Sequence, residues 1–474
     1  MTLLAPFLDH CARTPDAAAL VSGTGERVSF AALDRRSSGL AAAFRARGIG
    51  DGDRVLIALP LSPKLYAVLI ALWKIGAVAV APDASAGLKG LAHAVRTTQP
   101  KAYAGPRWLG LLCRLLPGQP ALGSKLPSVA PVALDDPAQT VPDDHPALIS
   151  FTSGSTGTPK TILRTHGFLS AQLAALTPLL QMADGPALVS LPMFVLALLG
   201  LGQTSILPPG SMRRPDSINV HRWRAHLLRT GATRLLAPPA ICNRLADADA
   251  LRGLAWIGTG GGPIFPQDLR HLQARAPTAE IICVYGSTEA EPIAHLRTAD
   301  IRAEDWERMM GGYGLLAGAP VPDIRVRLIN DAILVTGPHV NKRYLDAVAP
   351  LSDKHEIDGE VWHATGDAGR IDDQGRLWLL GRCAGRVGAY FPFAVEIGAL
   401  GWSGVRQAAL VGMAGKPILA VAGDRGFEAM WRVKLADQFP DIELCFLKKI
   451  PLDRRHNSKI DYPALYKLLL RPQK

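Results

Sequence analysis

Cysteine is scarce in this sequence: six residues among 474, at positions 11, 113, 242, 283, 383 and 445. They lie far apart with no CxxC pair, which signals neither a disulfide framework nor a zinc site. Reduced thiols and a cytoplasmic location are the expectation. The opening residues, MTLLAPFLDHCARTPD, show neither a basic n-region nor a small-residue cleavage site, so no secretion signal is read there. Long apolar runs are missing as well. Leu65 to Pro82 is interrupted by Lys74, and Ala187 to Gly202 contains Pro192. Both fall short of the roughly 18 to 20 uninterrupted apolar residues of a spanning helix and read as buried elements, so no transmembrane segment is expected. Low-complexity tracts and internal repeats are absent too.

Charge is not balanced: the net value is +11 at pH 7. Such an excess suits nucleic acid, a membrane surface or an anionic substrate. The arginines are scattered (Arg35, Arg36, Arg45, Arg47, then Arg213, Arg214, Arg222, Arg224), and no basic run is interleaved with aromatics. Nucleic acid is therefore not expected as a partner.

What is present is an ordinary globular balance, 48% apolar and 20% charged, in a chain long enough for two or more domains. From Val28 onward, helix-length stretches alternate with short apolar runs: SFAALDRRSSGLAAAFRARG, DRVLIALP, SPKLYAVLIALWKIG, AVAVAPD. That alternation predicts crossovers and a largely parallel sheet. A second βα alternation runs through TRLLAPPAICNRLADA, LAWIGTGGG and EIICVYGSTEAEP, so loops at 258–262 and 285–292 are expected to open off strand ends. After Gly311 come short β-like runs, DIRVRLIND, AILVTGP and GRLWLLGR, separated by turn residues. The fold class is thus α/β: a large N-terminal domain of parallel-rich sheets with helices plus a small β-rich subdomain, spanning 1–382, then a small α+β C-terminal domain, 383–474.

One stretch concentrates unusual chemistry. SFTSGSTGTPKT, Ser150 to Thr161, holds seven hydroxyl residues, two glycines, a proline and a lysine after the expected strand ALISF. Glycines permit close backbone approach, and clustered N–H and O–H donors with an ammonium suit a phosphate chain. It is not a Walker A loop, because Lys160 follows Pro159 rather than glycine. A polar surface turn has the same composition and stays open as the alternative at this point.

Taken together, TSGSTGTPK (Thr152 to Lys160), YGSTE (Tyr285 to Glu289), the Thr365-Gly366-Asp367 triplet and the Gly381-Arg382 pair resemble the adenylate-forming superfamily of acyl-CoA synthetases, luciferases and peptide-synthetase adenylation domains. The resemblance implies activation of a carboxylic acid with ATP and Mg²⁺ to an acyl adenylate. Thr152, Ser153, Gly154, Ser155, Thr156, Gly157 and Lys160 would then hold the departing pyrophosphate through preorganised donors. Glu289 would offer Mg²⁺ a hard oxygen and Thr288 a hydroxyl to the α-phosphate or the substrate carboxylate. Tyr285 and Gly286, with Gly260, Gly261 and Gly262, would enclose adenine. Asp367 would accept from the ribose hydroxyls beside Arg382. Lys459, in PLDRRHNSKIDY, resembles the second catalytic lysine, carried on a mobile C-terminal lid. Outside the motifs, the same residues read as a helix-start acid (Glu289), a core tyrosine (Tyr285), a turn aspartate (Asp367) and a solvated lysine (Lys459).

Two departures bear on the fate of the adenylate. Cys383 and Ala384 stand where many thioester-forming members have a charged hinge, and no RGxRIE-like loop follows, with Glu396 the nearest match to its acid. In LPMFVLALLG only Phe194 is aromatic and no histidine gates the acyl pocket, which suits an apolar acyl chain. The expected activity is AMP-forming activation of a fatty or β-hydroxy fatty acid, followed by transfer to a thiol, with CoA or an acyl carrier protein as acceptor. The alternative product is a β-lactone, since Arg455-His-Asn before Ser458-Lys459 and Thr288-Glu-Ala-Glu-Pro292 resemble the olefin-biosynthesis branch. An inactive nucleotide-binding relative is the non-enzyme alternative.

Overall fold

The computed structural model of the chain describes residues 3–82, 87–110, 124–127, 138–152, 160–210, 218–345, 353–413, 415–452 and 460–470. Helix Phe30–Arg45 begins where Ser29 accepts from the Ala32 amide, and it buries Phe30, Leu33, Leu40 and Phe44 along one face. Helix Pro63–Lys74 starts with proline in its first turn, behind the Ser62 cap. Trp73 ties it down by donating to the Ala147 carbonyl at 3.0 Å. Helix Pro63–Lys74 lies on a six-stranded sheet in which Ser124–Lys125, Ala102–Ala104, Arg54–Ile57, Val78–Ala81 and Pro146–Thr152 run parallel. Helix Phe30–Arg45 packs between that helix and strands Ala18–Val21 and Arg27–Ser29. Lys160–Thr165 closes its edge antiparallel to Pro146–Thr152.

The second sheet has fourteen strands. Its parallel part runs Ala18–Val21, Ser205–Ile206, Ala187–Val189, Arg234–Ala237, Trp256–Gly260 and Glu280–Ser287. Most residues of these strands are apolar and buried, as expected where both faces of a sheet are covered. The apolar stretch Ala187 to Gly202, expected to be buried, becomes strand Ala187–Val189 and helix Pro192–Gly200, whose Phe194, Val195 and Leu198 are buried in the main core. Among the described residues, no helix is long and apolar enough to cross a membrane.

Two expectations change. The segment Tyr285 to Pro292 is not an open loop: strand Glu280–Ser287 turns back antiparallel into Ala290–Arg297, with Ser287 opposite Ala290. The apolar run Ile281 to Val284 looked like a strand feeding a helix, but the alternation continues across Thr288-Glu289 and makes a hairpin, so Glu289 starts no helix. The β-rich segment is also continuous with the large sheet, because Leu315–Pro320 pairs with Ala290–Arg297 and hands on to Leu377–Arg382, Glu360–Ile371, Ala332–Thr336 and Arg325–Ile329. The Arg376 guanidinium secures this part with two hydrogen bonds to Asp305, at 2.7 and 2.8 Å, and one to Asp372 at 2.8 Å.

Beyond Arg382 a separate three-stranded sheet forms from Val405–Met413, Lys416–Gly423 and Glu443–Leu447. Helix Pro392–Leu400 packs on it and brings Glu396 inside, 1% exposed. Its carboxyl accepts from the Leu410 amide at 2.9 Å and from Tyr462 Oη at 3.4 Å. Burial, only partly offset by these two donors, pushes its pKa up to about 7.

Glu396 therefore binds its proton in the folded state at pH values where the unfolded chain has released it. Stability from this group is present below the unfolded value near 4.5 and is lost as pH rises toward about 7. Glu396→Gln keeps both acceptor contacts without an ionisable group. Melting curves of the two proteins taken at a series of pH values across that window should show a steeper fall for the wild type and a flatter profile for the variant.

Candidate functional site

Strand order places the candidate residues around one seam between the two sheets. Thr152 ends its strand opposite Lys160, which begins the next. Ser153, Gly154, Ser155, Thr156 and Gly157, between them, lie outside the described residues, as does Lys459. Lys160 is ion-paired with Asp353 at 2.8 Å, and Tyr344 Oη donates to the same carboxylate oxygen at 2.5 Å. Burial alone would raise Asp353; the hydrogen bonds from Lys160 and Tyr344 outweigh it and hold the carboxyl below its usual range.

Next to this group, Lys354 donates to the Asn341 carbonyl, and its ammonium stands 4.8 Å from the Tyr344 ring centroid. Burial lowers its pKa to about 8 against the opposing pull of Asp353 and Glu289. His363 Nδ1 faces the Asp353 backbone carbonyl at 3.3 Å. Burial, then the Lys354 charge, lowers its pKa.

Across the seam stands the Thr288-Glu289 turn. Arg164 Nη2 donates to the Thr288 carbonyl at 2.7 Å, and the Asn341 amide donates to the Glu289 carbonyl at 2.7 Å. Asn341 Nδ2 also donates to the Leu163 carbonyl at 2.9 Å. Isolated bridges, Ile162 to Tyr344 and Ala290 to Val340, complete the stitching. Burial works against charge at both Arg164, lowering its pKa, and Glu291, raising it; each partly offsets the other.

The expected nucleoside end is assembled beside that turn. Gly260 pairs with Val284, the residue before Tyr285, and a Cβ on Gly260 would stand 2.7 Å from the Val284 carbonyl oxygen, so only glycine fits. Gly261, at φ +82°, borders open space: a Cβ there would meet nothing within 4 Å. Gly262 follows, partly buried, and Gly286 sits inside the hairpin against Ala290 and Glu291. Thr259 Oγ1 and Ser287 Oγ are buried with no hydrogen-bond partner among the described residues. Tyr285 Oη donates to Asp367 Oδ2 at 2.9 Å. Burial first, then the Asp367 charge, raises the tyrosine well above its ordinary value. Asp367 and Arg382 are register partners, with Arg382 Nη1 3.3 Å from Asp367 Oδ1 and 2.9 Å from the Thr365 carbonyl.

Tyr285, Asp367 and Arg382 are thus in direct contact, Gly260 pairs with the residue before Tyr285, and Thr288 is tied to the strand that begins at Lys160. Sequence reasoning missed Arg164, Glu291 as its partner, Asn341, Tyr344, Asp353, Lys354 and His363. For Arg164 and His363 the signal was polarity inside an apolar run, TILRTH and EVWHATGD, whereas Asn341, Tyr344, Asp353 and Lys354 lie in the polar stretches NKRY and SDKHE, where nothing sets them apart. Among the described residues, no three or more His, Cys, Asp or Glu gather into a metal cage.

Residues 7–345 match the model of the family described as AMP-binding enzyme. The chain is 30% identical to the olefin β-lactone synthetase of Xanthomonas campestris, with 91% of this chain and 89% of that protein covered. It is 28% identical to a feruloyl-CoA synthase from an Amycolatopsis species, covering 84% and 83%. Its fold is shared with ATP-bound MatB from Rhodopseudomonas palustris, at a TM-score of 0.84 and 20% identity over 99% of both chains. A fatty acyl CoA synthetase of Mycobacterium tuberculosis superposes with a TM-score of 0.74 at 20% identity, over 98% of both chains. A family match over most of the chain, with similarity to named relatives running through nearly its whole length, makes this protein a member of the AMP-binding enzyme family, an AMP-forming ligase of the adenylate-forming type.

Proposed function

We propose that the enzyme uses ATP to activate an aliphatic β-hydroxy acid as its acyl adenylate, and that the β-hydroxyl then displaces AMP to close a β-lactone. The observation that carries the first half is the unbroken line of contacts from Lys160 through Arg164 and the Thr288-Glu289 turn to Tyr285, Asp367 and Arg382. The second half draws its support from relatives called olefin β-lactone synthetase, at 30% and 29% identity.

In the first step the acid's carboxylate oxygen attacks the α-phosphorus of ATP, the bond to the β-phosphate bridge breaks, and pyrophosphate leaves. Residues 152–157 and Lys160 would stabilise the charge that moves onto pyrophosphate. Lys160 reaches it only by sharing its charge with Asp353. Thr288 would donate to the α-phosphate or the acid, and Asp367 would accept from the ribose hydroxyls once Tyr285 yields its bond. A single carboxylate at the tip of a turn, Glu289, suits Mg²⁺, which takes most of its ligands from phosphates and water; bound there, the ion would neutralise phosphate charge. Lys459 would approach the α-phosphate from a lid formed by 383–474, after an AMP-binding domain of 1–382. The large sheet ends at Arg382 and a three-stranded sheet with its own core follows, which favours that division.

In the second step the β-hydroxyl oxygen attacks the activated carbonyl, the bond to AMP breaks, and the hydroxyl proton leaves with phosphate or solvent. Attack within one molecule gains a large effective molarity that offsets part of the ring strain. The aliphatic character of the acid is read from the apolar stretch LPMFVLALLG, whose residues Phe194 to Leu199 are buried in the core. A second reading, transfer to CoA or an acyl carrier protein, is favoured by the feruloyl-CoA synthase relatives.

Pyrophosphate exchange over a panel of acids, with and without CoA, tests both halves. Long-chain β-hydroxy acids should support exchange and give AMP over many turnovers without CoA; a single burst that turns over only when a thiol is supplied would establish the second reading instead. Lys459→Ala should slow exchange by about two to three powers of ten while nucleotide binding, measured by calorimetry, stays nearly unchanged. Near-normal exchange in that folded variant would remove Lys459 from the chemistry.

A further inference from the structure

Arg164 is an expensive residue to keep where it is. It is 4% exposed, it lies on the strand that starts at Lys160, and its charge is opposed by Glu291, to which Gln172 Nε2 donates at 3.4 Å. Its Nε and the Gln172 Oε1 have no hydrogen-bond partner among the described residues. Buried ion pairs are poor stabilisers, and apolar residues of similar volume often serve as well or better. Stability alone therefore does not account for an arginine at this position.

The turn that Arg164 holds explains it better. Two-residue hairpin loops normally take primed turns, which require positive φ at one or both central residues. Neither Thr288 nor Glu289 is among the non-glycine residues with positive φ. The turn takes its shape from outside the hairpin: Arg164 binds the Thr288 carbonyl and the Asn341 amide binds the Glu289 carbonyl. With both carbonyls fixed, the directions in which the Thr288 and Glu289 side chains leave the backbone are fixed too. The arginine also belongs to the strand that leaves the phosphate loop, so one guanidinium sets the position of the turn relative to that strand.

We propose that Arg164 is a positioning residue for adenylation: its guanidinium, neutralised by Glu291, holds the Thr288-Glu289 turn in register with the strand that begins at Lys160. The proposal rests on the acid-activating reading above, in which Thr288 and Glu289 face the reacting phosphates. Lysine cannot replace the arginine, because a shorter side chain ending in one ammonium does not reproduce the planar guanidinium that donates to the Thr288 carbonyl.

The test compares the wild type with Arg164→Lys and with the double variant Arg164→Gln, Glu291→Gln, which leaves no unpaired buried charge and so guards against misfolding. Four quantities are measured: exchange kcat, the KM for ATP, AMP affinity by calorimetry and the melting temperature. Both variants should lose about ten- to a hundredfold in kcat, the worth of one charge-assisted hydrogen bond, with a smaller change in KM. AMP affinity should stay within about twofold, because Tyr285, Asp367 and the 260–262 glycines are untouched. Wild-type kcat in the double variant would overturn the proposal, as would a loss of kcat matched by equal losses of AMP affinity and melting temperature, since that pattern reports general damage. A wild-type protein that binds AMP but exchanges with no acid would overturn the acid-activating reading itself, and the positioning role with it.

Discussion

Asn341 touches both sheets at once: its amide serves the Glu289 carbonyl on the hairpin of the large sheet, and its side-chain nitrogen serves the Leu163 carbonyl on the edge strand of the six-stranded sheet. Backbone polar groups buried at a seam must find partners, and here one residue satisfies two of them. The edge strand that begins at Lys160 and the turn bearing Thr288 and Glu289 belong to different sheets, so their separation is fixed by the Arg164–Thr288 bond together with the 340–344 segment that lies between them. The Ile162–Tyr344 and Ala290–Val340 bridges extend the same join on either side of Asn341.

The cationic groups at this join are held by anions of the chain itself. Lys160 is paired with Asp353, Arg164 faces Glu291, and Arg382 pairs with Asp367, which also accepts from Tyr285. In a low-dielectric seam such pairing lowers the cost of storing positive charge near the place where a polyphosphate would bring several negative ones. A nucleotide would enter by exchanging partners, as Asp367 gives up Tyr285 for ribose and Lys160 divides itself between Asp353 and phosphate.

Much of the framework was legible because local pattern and tertiary role agree there. Helices 30–45 and 63–74 carry their caps and apolar spacing in plain sight, and Arg54–Ile57, Val78–Ala81 and Trp256–Gly260 read as buried parallel strands. The hairpin at 288–289 was hidden because nothing local distinguishes a strand that turns back from one that feeds a helix; YGSTEAEP has neither Asn-Gly nor Asp-Gly at its turn. Similarly, DIRVRLIND and GRLWLLGR announce strands without saying which sheet they join, since register and partner are long-range properties.

The sequence by itself determined the chemistry on offer: hydroxyls, glycines and a lysine at 152–160, an acid after Thr288, an aspartate after Thr365-Gly366, and apolar helices to carry them. Those follow from residue type and short spacing, which a linear reading preserves. Only the tertiary structure decided that Arg164 would lie under Thr288, that Asp353 would hold Lys160, and that Asn341 would bridge the two sheets. Each of these contacts joins residues more than fifty positions apart, and a buried ion pair or carbonyl bond of that kind comes into being only when two separately formed sheets meet.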